Sequence, residues 1–464
     1  MKALTLDALE GLLPQLVADM EKKVPYAAAL AQGREGTRVS ASSTQSSVSP
    51  EFPSLGVVLT AFNGEAFFEA SCNALDADAL ARTARDLADW TASHKVASPR
   101  DMDPGPALKQ AWQLPTKLDP AKWSLKQKMD HARELQQVLQ KIDPRVRNAT
   151  AVVADLVTEE LFVNRAKVLR QRLPRVDEVM QVVVAEGGRT QMLWDGISRG
   201  GGFENLGYCL PLAKNLVADA LKLLKAGRLD PGQYTIVTDS DWSGMLAHEA
   251  FGHGTETDMY LKDRAKGKEY MGKRVASEIT GLFDDPTYPG QAATFYFDHE
   301  GALARKNAIL EAGILTHGMT DFYSAAYLGY ERSANGRRES WERKAYARMT
   351  NTYFAPGKNK PSELIASVDE GIYLRYPSNG MEDPQGWGIQ CEGLWAQKIK
   401  KGKLTGQLCS PVILTGFVPD ILQSIDMVGD DLEISGLGYC GKGHKEIVKN
   451  TMGGPHLKFE ARLA

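Results

Sequence analysis

The spacing of apolar positions divides the chain into helical and strand-like stretches. Residues 4–22 repeat leucine at helical intervals, with Pro14 predicting a kink or interruption. Residues 75–90 carry Leu75, Leu80, Leu87 and Trp90 among alanines and charges, the pattern of an amphipathic helix. Residues 121–142, with Met129, Leu135, Val138 and Leu139, predict another, and residues 212–226 a further one stopped by Gly227. Residues 56–70 predict a hairpin turning at Asn63-Gly64. Residues 150–193 predict antiparallel strands joined by turns such as Glu186-Gly-Gly. Residues 234–238, 292–298, 307–320, 364–376 and 388–398 are strand-like as well, 307–320 as a hairpin around Glu311-Ala-Gly313. The stretches between them are less regular. Residues 37–48 are small and polar, and suit a strand or a loop. Five prolines within 96–121 predict a surface excursion, and the glycines of 198–203 a flexible crossing between domains. Residues 436–444 read as a glycine-lined loop holding Cys440.

Composition narrows the class. A chain of 464 residues predicts two or three domains, and 43% hydrophobic with 24% charged residues suits a soluble globular protein. Lys+Arg 55 against Asp+Glu 58 gives no reason to expect nucleic acid or an anionic membrane as partner. The five cysteines are odd in number and widely spaced, without C-x-x-C, which suits a reducing compartment. The first residues have no signal-peptide core and no run approaches a membrane span, so a cytoplasmic location is expected. Neither G-x-G-x-x-G nor G-x-x-x-x-G-K-[ST] occurs, which argues against a phosphate cradle.

The candidate chemistry is concentrated in residues 242–258, where two of the eight histidines, His248 and His253, stand five apart with Glu249 after the first. Two imidazoles and a carboxylate in so short a span make the composition of a hydrolytic zinc site. The spacing is one residue longer than in H-E-x-x-H. At about 100° per residue, a separation of four leaves side chains about 40° apart and five leaves them about 140° apart. A regular α-helix would turn His253 away from His248. Either a π-bulge realigns the rings, or the helix ends near Gly252 and His253 returns from a loop, Gly252 and Gly254 permitting positive φ. In both cases the helix is bulged or ended before His253. A catalytic zinc takes three protein ligands. Local chemistry offers Cys440 between Gly438 and Gly441, with Glu256, Asp258, His444 and His299 as alternatives. Cys72, Cys209, Cys391 and Cys409 read as small buried hydrophobes.

These residues resemble a known family. His248-Glu-Ala-Phe-Gly-His253-Gly-Thr-Glu-Thr-Asp258 is similar to the H-E-A-x-G-H-G-x-E-x-D block of the TldD metalloproteases, in the TldD/PmbA (TldE) family. Further blocks follow in that family's order: the hairpin from Ile309 to Gly318, Asp321 to Gly329, Gly336-Arg-Arg, Arg348-Met-Thr-Asn-Thr-Tyr353, Pro356-Gly-Lys, Ile365 to Tyr373, Met427 to Leu432, and Gly438-Tyr-Cys-Gly-Lys442. The likeness is dense over residues 234–442 and thin before them. It implies zinc held by His248, His253 and Cys440, with Glu249 as general base toward the attacking water and the leaving amine. The presence of the metal motif implies the TldD side rather than the PmbA side, whose members lack it. It implies an unfolded or extended peptide as substrate, enclosed in a cavity, and a homodimer or a heterodimer with a PmbA/TldE-type subunit.

The expected fold is α+β. An N-terminal domain of mixed helices and antiparallel strands, residues 1–205, forms the cavity and dimerisation unit. A C-terminal metalloprotease domain, residues 206–464, is dominated by a curved, barrel-like antiparallel sheet with the metal-site helix. A peptide gripped as an added β-strand would suit that sheet, and Arg348 is a candidate oxyanion donor or a structural ion pair. The alternative function is a catalytically inactive peptide-binding or partner subunit that retains the fold; a third is a metal hydrolase acting on something other than peptides.

Overall fold

The computed structural model describes residues 4–73, 76–443 and 446–464; the expected helix residue Leu75 and the ligand alternative His444 lie outside the described residues. Seven strands form the first sheet: β1 (Tyr26–Ser42), β2 (Ser46–Phe62), β3 (Phe67–Cys72), β4 (Leu108–Gln113), β5 (Val146–Asn164), β6 (Lys167–Glu186) and β7 (Arg189–Gly200). Their order is β3-β2-β1-β5-β6-β4, with β7 also on β6. β5 and β6 run 19 and 20 residues, and β6 alternates buried and half-buried positions along most of its length, the period-2 pattern of a sheet packed on one face. The hairpins turn where turn chemistry predicts. Asn63 accepts from the amides of Glu65 and Ala66, while Gly187 and Gly188 take φ of 59° and 80° between β6 and β7.

Four helices cover this sheet. α1 (Leu6–Glu21) and α2 (Ala77–Ser93) share one buried cluster with β1, β2 and β5. α1 runs through Pro14 without a break. Burial of Leu9, Leu13, Leu16, Val17 and Met20 along one stripe outweighs the lost hydrogen bond, worth about 3 kcal/mol. α3 (Leu125–Lys141), capped reciprocally by Ser124 and Gln127, and α4 (Cys209–Leu223) share another cluster with β5, β6 and β7.

The second half closes into a barrel. β8 (Gly232–Thr238) lies between strands Glu370–Asp383 and Leu457–Leu463; Val412–Phe417 and Gly388–Lys400 follow, and Gly388–Lys400 pairs back onto Glu370–Asp383. A closed sheet has no open edge and presents one face to a common core. Ile236, Leu374, Ile389, Leu414 and Phe459 from these strands join Trp242, Phe251 and Trp387 in one buried cluster. The expectation of an α+β chain with a barrel-like sheet holding the motif helix is met.

Several local expectations are corrected. Of the two readings of residues 37–48 the strand is found, in two 17-residue strands joined at residues 43–45, whereas the proline-rich stretch, expected as an excursion, contains β4, which pairs parallel with β6. Residues 198–200 end β7, with Ser198 buried against Asp177, rather than forming a flexible crossing. Residues 292–298 form no strand, because the amides of Tyr296 and Phe297 are satisfied by the Gln171 side chain instead of a neighbouring strand. Residues 364–376 divide into a short helix, Pro361–Ala366, and the barrel strand Glu370–Asp383. Cys440 stands on a strand, Tyr439–Lys442, paired with Glu446–Lys449.

Candidate metal centre

β8 leads directly into the motif. Asp239 accepts the Trp242 amide at 3.0 Å and caps α5 (Ser240–Leu246), which packs entirely inside the protein from Trp242 onward. The helix then widens into a π-turn over Ala247–Gly252, followed by a 3₁₀ turn at His253–Thr255. Widening to an i→i+5 repeat absorbs the extra residue of the motif. It brings the rings of His248 and His253 to 5.0 Å between centroids at 88°. Of the two local solutions, the protein uses the bulge. Gly252 and Gly254 are not in the positive-φ region; their role is close approach. A Cβ on Gly252 would lie 2.0 Å from Met349 Sδ, and one on Gly254 2.6 Å from Trp387 Nε1.

Cys440 arrives from the other end of the domain. His253 Nε2 stands 3.3 Å from Cys440 Sγ, and one donor atom from each of His248, His253 and Cys440 lies within 4.8 Å of the others. The remaining ring nitrogens are held from behind. His248 Nδ1 meets the Asn450 side-chain amide at 3.0 Å, and His253 Nδ1 meets Glu256 Oε2 at 3.3 Å. Such partners fix the tautomer and orientation of a ligating ring. Lys442 donates to Glu256 Oε2 at 3.0 Å and to Asp258 Oδ1 at 2.6 Å. The two carboxylate alternatives therefore stand behind the histidines, not among the three converging donors.

Arg348 is 1% exposed and clamps the cysteine hairpin, donating to Cys440 O at 2.5 Å and Glu446 O at 3.1 Å, with Glu256 at 3.8 Å. Its guanidinium is engaged there and does not line the cavity beside the histidines. Of its two expected roles, the structural one is observed. His299 lies elsewhere, paired with Glu160 at 3.0 Å. The cysteines separate by electrostatics. Burial pushes the Cys209, Cys391 and Cys409 thiols up. Burial pushes Cys440 the same way, but the facing His253 and His248 outweigh it and hold the thiol well below its ordinary value. His253 responds in turn: burial lowers it, and the Cys440 charge and Glu256 raise it well above the usual imidazole value.

The donor set fits zinc. Two imidazoles and a low-pKa thiolate are borderline-soft ligands, and tetrahedral zinc would place N and S donors about 3.6 Å apart. The three side chains and Glu249 border a cavity of about 600 Å³, also lined by residues 376–382 and Tyr439. Glu249 Oε1 lies 4.0 Å from His248 Nε2. Two further residues at the site were not singled out from sequence. Asn450 orients His248, yet nothing in its surroundings in the chain marks it out. Glu382 lines the cavity with burial pushing its carboxyl well up, and only its packing against Gly254 reveals it.

Comparison with known proteins gives the family of the chain. Residues 231–462 match the PmbA/TldA metallopeptidase C-terminal domain. A metalloprotease TldD homolog of Buchnera aphidicola subsp. Schizaphis graminum is 32% identical over 353 residues, 73% of this chain and 71% of that one. A zinc metalloprotease TldD homolog of Saccharolobus solfataricus is 32% identical over 253 residues, 53% of this chain and 54% of that one. The crystal structure of TldE from Thermococcus kodakarensis superposes with a TM-score of 0.73 at 16% identity, over 97% of this chain and 99% of that one. At that identity the likeness is one of fold.

Proposed function

The chain belongs to the PmbA/TldD metallopeptidase family, and we propose that it is a zinc-dependent peptidase that hydrolyses unfolded peptides inside an enclosed cavity. The observation that carries this reading is the convergence of His248, His253 and Cys440, from segments 187 residues apart, on the wall of a cavity beside Glu249. In this reading His248, His253 and Cys440 hold the metal. Zinc bound there supplies a Lewis acid that polarises a peptide carbonyl and acidifies water. Glu249, adjacent to His248, takes the proton of the attacking water on its carboxylate and delivers it to the departing amine. Glu256 and Asn450 keep the two rings aligned through Nδ1.

Residues 206–464 form the metallopeptidase domain, and residues 1–205 form the dimerisation unit and complete the cavity wall through residues 193–195. The peptide lies extended. Beyond Leu374 the strand Glu370–Asp383 pairs, among the described residues, only with Gly388–Lys400, and residues 376–382 line the cavity. An added strand there would be held by main-chain bonds that ignore side-chain identity. The protein works in the cytoplasm as a homodimer or with a PmbA/TldE-type subunit; the TldE-like fold supports the second arrangement.

The test begins with metal content. Purified protein is expected to hold one zinc per chain, lost in His248→Ala and in Cys440→Ser. Glu249→Ala is expected to keep zinc and to lose at least about 10²-fold in cleavage of an unstructured peptide. Unchanged cleavage by Glu249→Ala would remove Glu249 as base. Zinc binding without cleavage of any peptide, alone or with a PmbA/TldE-type subunit, would favour the inactive peptide-binding subunit.

A further inference from the structure

The hairpin that carries Cys440 also borders a second cavity, of about 340 Å³, with a marked excess of cations. Arg34, Arg175, Arg337, Arg338 and Lys449 line it, against Glu160, Asp298 and Glu339. Two of these acids are already engaged. Glu160 accepts from Gln32 and Gln171 and pairs with His299, while Asp298 accepts the amides of Glu300, Ala302 and Gly336. Lys449 is 7% exposed, and among the described residues no carboxylate comes within ion-pair distance of it. Its Nζ stands 4.3 Å over the Tyr439 ring, and the Arg175 guanidinium stands 5.9 Å over the same ring.

Arg175 donates to Tyr439 OH at 3.3 Å, and its Nε is buried without a hydrogen-bond acceptor, as is Arg338 Nε. The Asp177 carboxylate, 3.8 Å from Arg175, is shared with the Ser198 hydroxyl. A buried lysine and a half-buried arginine thus approach one exposed aromatic ring, with a single carboxylate 3.8 Å from the arginine. Burial drives the Lys449 ammonium down to about 7, Asp177 drawing it up and Arg175 pressing it lower. Buried charges are otherwise paired, because desolvation penalises an isolated ion heavily.

We propose that this cavity is an anion site, which binds an oxyanion of carboxylate or phosphate type between Lys449 and Arg175 on the Tyr439 ring. Lys449 and Arg175 suit such a ligand, whereas Arg338 is already paired with Glu69 at 2.8 Å. The oxyanion has two sources. Tyr439 lines this cavity and the metal-centre cavity alike, which makes the C-terminal carboxylate of a peptide one of them. A free phosphate is the other. The inference stands apart from the peptidase reading, since neither zinc nor Glu249 enters it.

The experiment titrates inorganic phosphate into the full-length protein by calorimetry, with sodium chloride at equal ionic strength as control. A peptide with a free C-terminal carboxylate and its amide are titrated in parallel. Saturable phosphate binding, weakened at least tenfold in Lys449→Gln and in Arg175→Gln, is expected if the source is a free anion. Tenfold tighter binding of the peptide acid than of the amide, equalised in both variants, is expected if the source is a peptide. Zinc content is read in each variant and is expected to stay at the wild-type level. Arg175 and Lys449 lie on different strands, so a folding failure in one variant leaves the other decisive. No phosphate binding together with equal binding of acid and amide would overturn the site, as would binding unchanged in the variants.

Discussion

Two of the protein's histidine–carboxylate pairs look alike in isolation. His253 faces Glu256 through Nδ1 at 3.3 Å, and His299 faces Glu160 through Nε2 at 3.0 Å. The difference lies on the far side of each ring. His299 Nδ1 accepts the Arg338 amide at 2.8 Å, so both nitrogens are closed within the junction between the first sheet and the loops after β8. His253 Nε2 instead faces Cys440 Sγ at 3.3 Å, with His248 beside it and a cavity in front. A carboxylate behind an imidazole therefore does not distinguish a ligand from a structural histidine. What distinguishes it is a second nitrogen left for a converging soft donor.

The comparison breaks most visibly in metal content. His253→Ala is expected to abolish stoichiometric zinc, a change on the order of 10 kcal/mol of binding free energy. His299→Ala is expected to keep one zinc per chain but to lower unfolding free energy by about 3 kcal/mol, since Glu160 and the Arg338 amide lose their shared partner. Zinc analysis and urea denaturation of the two variants decide it; zinc loss in His299→Ala would erase the distinction.

Acid sharpens the same contrast. Burial pushes Glu160 up, but the His299 ring and the side-chain amides of Gln32 and Gln171 hold it down at about 2, below its ordinary 4.5. A depressed carboxyl contributes stability that is present above the unfolded value and is lost as pH falls through the folded one. Wild type should exceed Glu160→Gln by about 3 kcal/mol near pH 6, with the gap closing between about pH 4.5 and 2. Urea midpoints at pH 6 and pH 3 measure it, and a gap independent of pH would contradict the assignment. The smallest effect is expected behind the metal. Glu256→Gln keeps a hydrogen-bond acceptor for His253, so zinc affinity should fall only about 10–100-fold, read by competition with a chelator.

Much of the metal centre could be read from the chain, and for local reasons. A five-residue spacing forces a break from the regular helix wherever both histidines must meet, so a bulge or an early helix end follows from geometry, and the folded chain takes the bulge. Cys440 stands out in the sequence because glycines lie on either side of it, but local chemistry leaves Glu256 and Asp258 open as alternatives, and only Lys442 and Arg348 in the folded chain occupy them. The antiparallel strands and the turn at Asn63 are accessible in the same way. Residues 292–298 have the aromatic and β-branched composition of a strand, whereas a side chain from β6 supplies their hydrogen bonds.

The sequence by itself determined the helical and strand periods, the turn positions, and the clustering of His248, Glu249 and His253, because these depend on neighbours within a few residues. Only the tertiary structure decided which residues stand behind each ring. Asn450, Lys442 and Arg348 reach the motif across 202, 186 and 92 residues of chain. The pairing of a nitrogen with a distant amide or carboxylate depends on how the barrel closes and where the cysteine hairpin docks. That is a property of the whole packing, and no short window of sequence contains it.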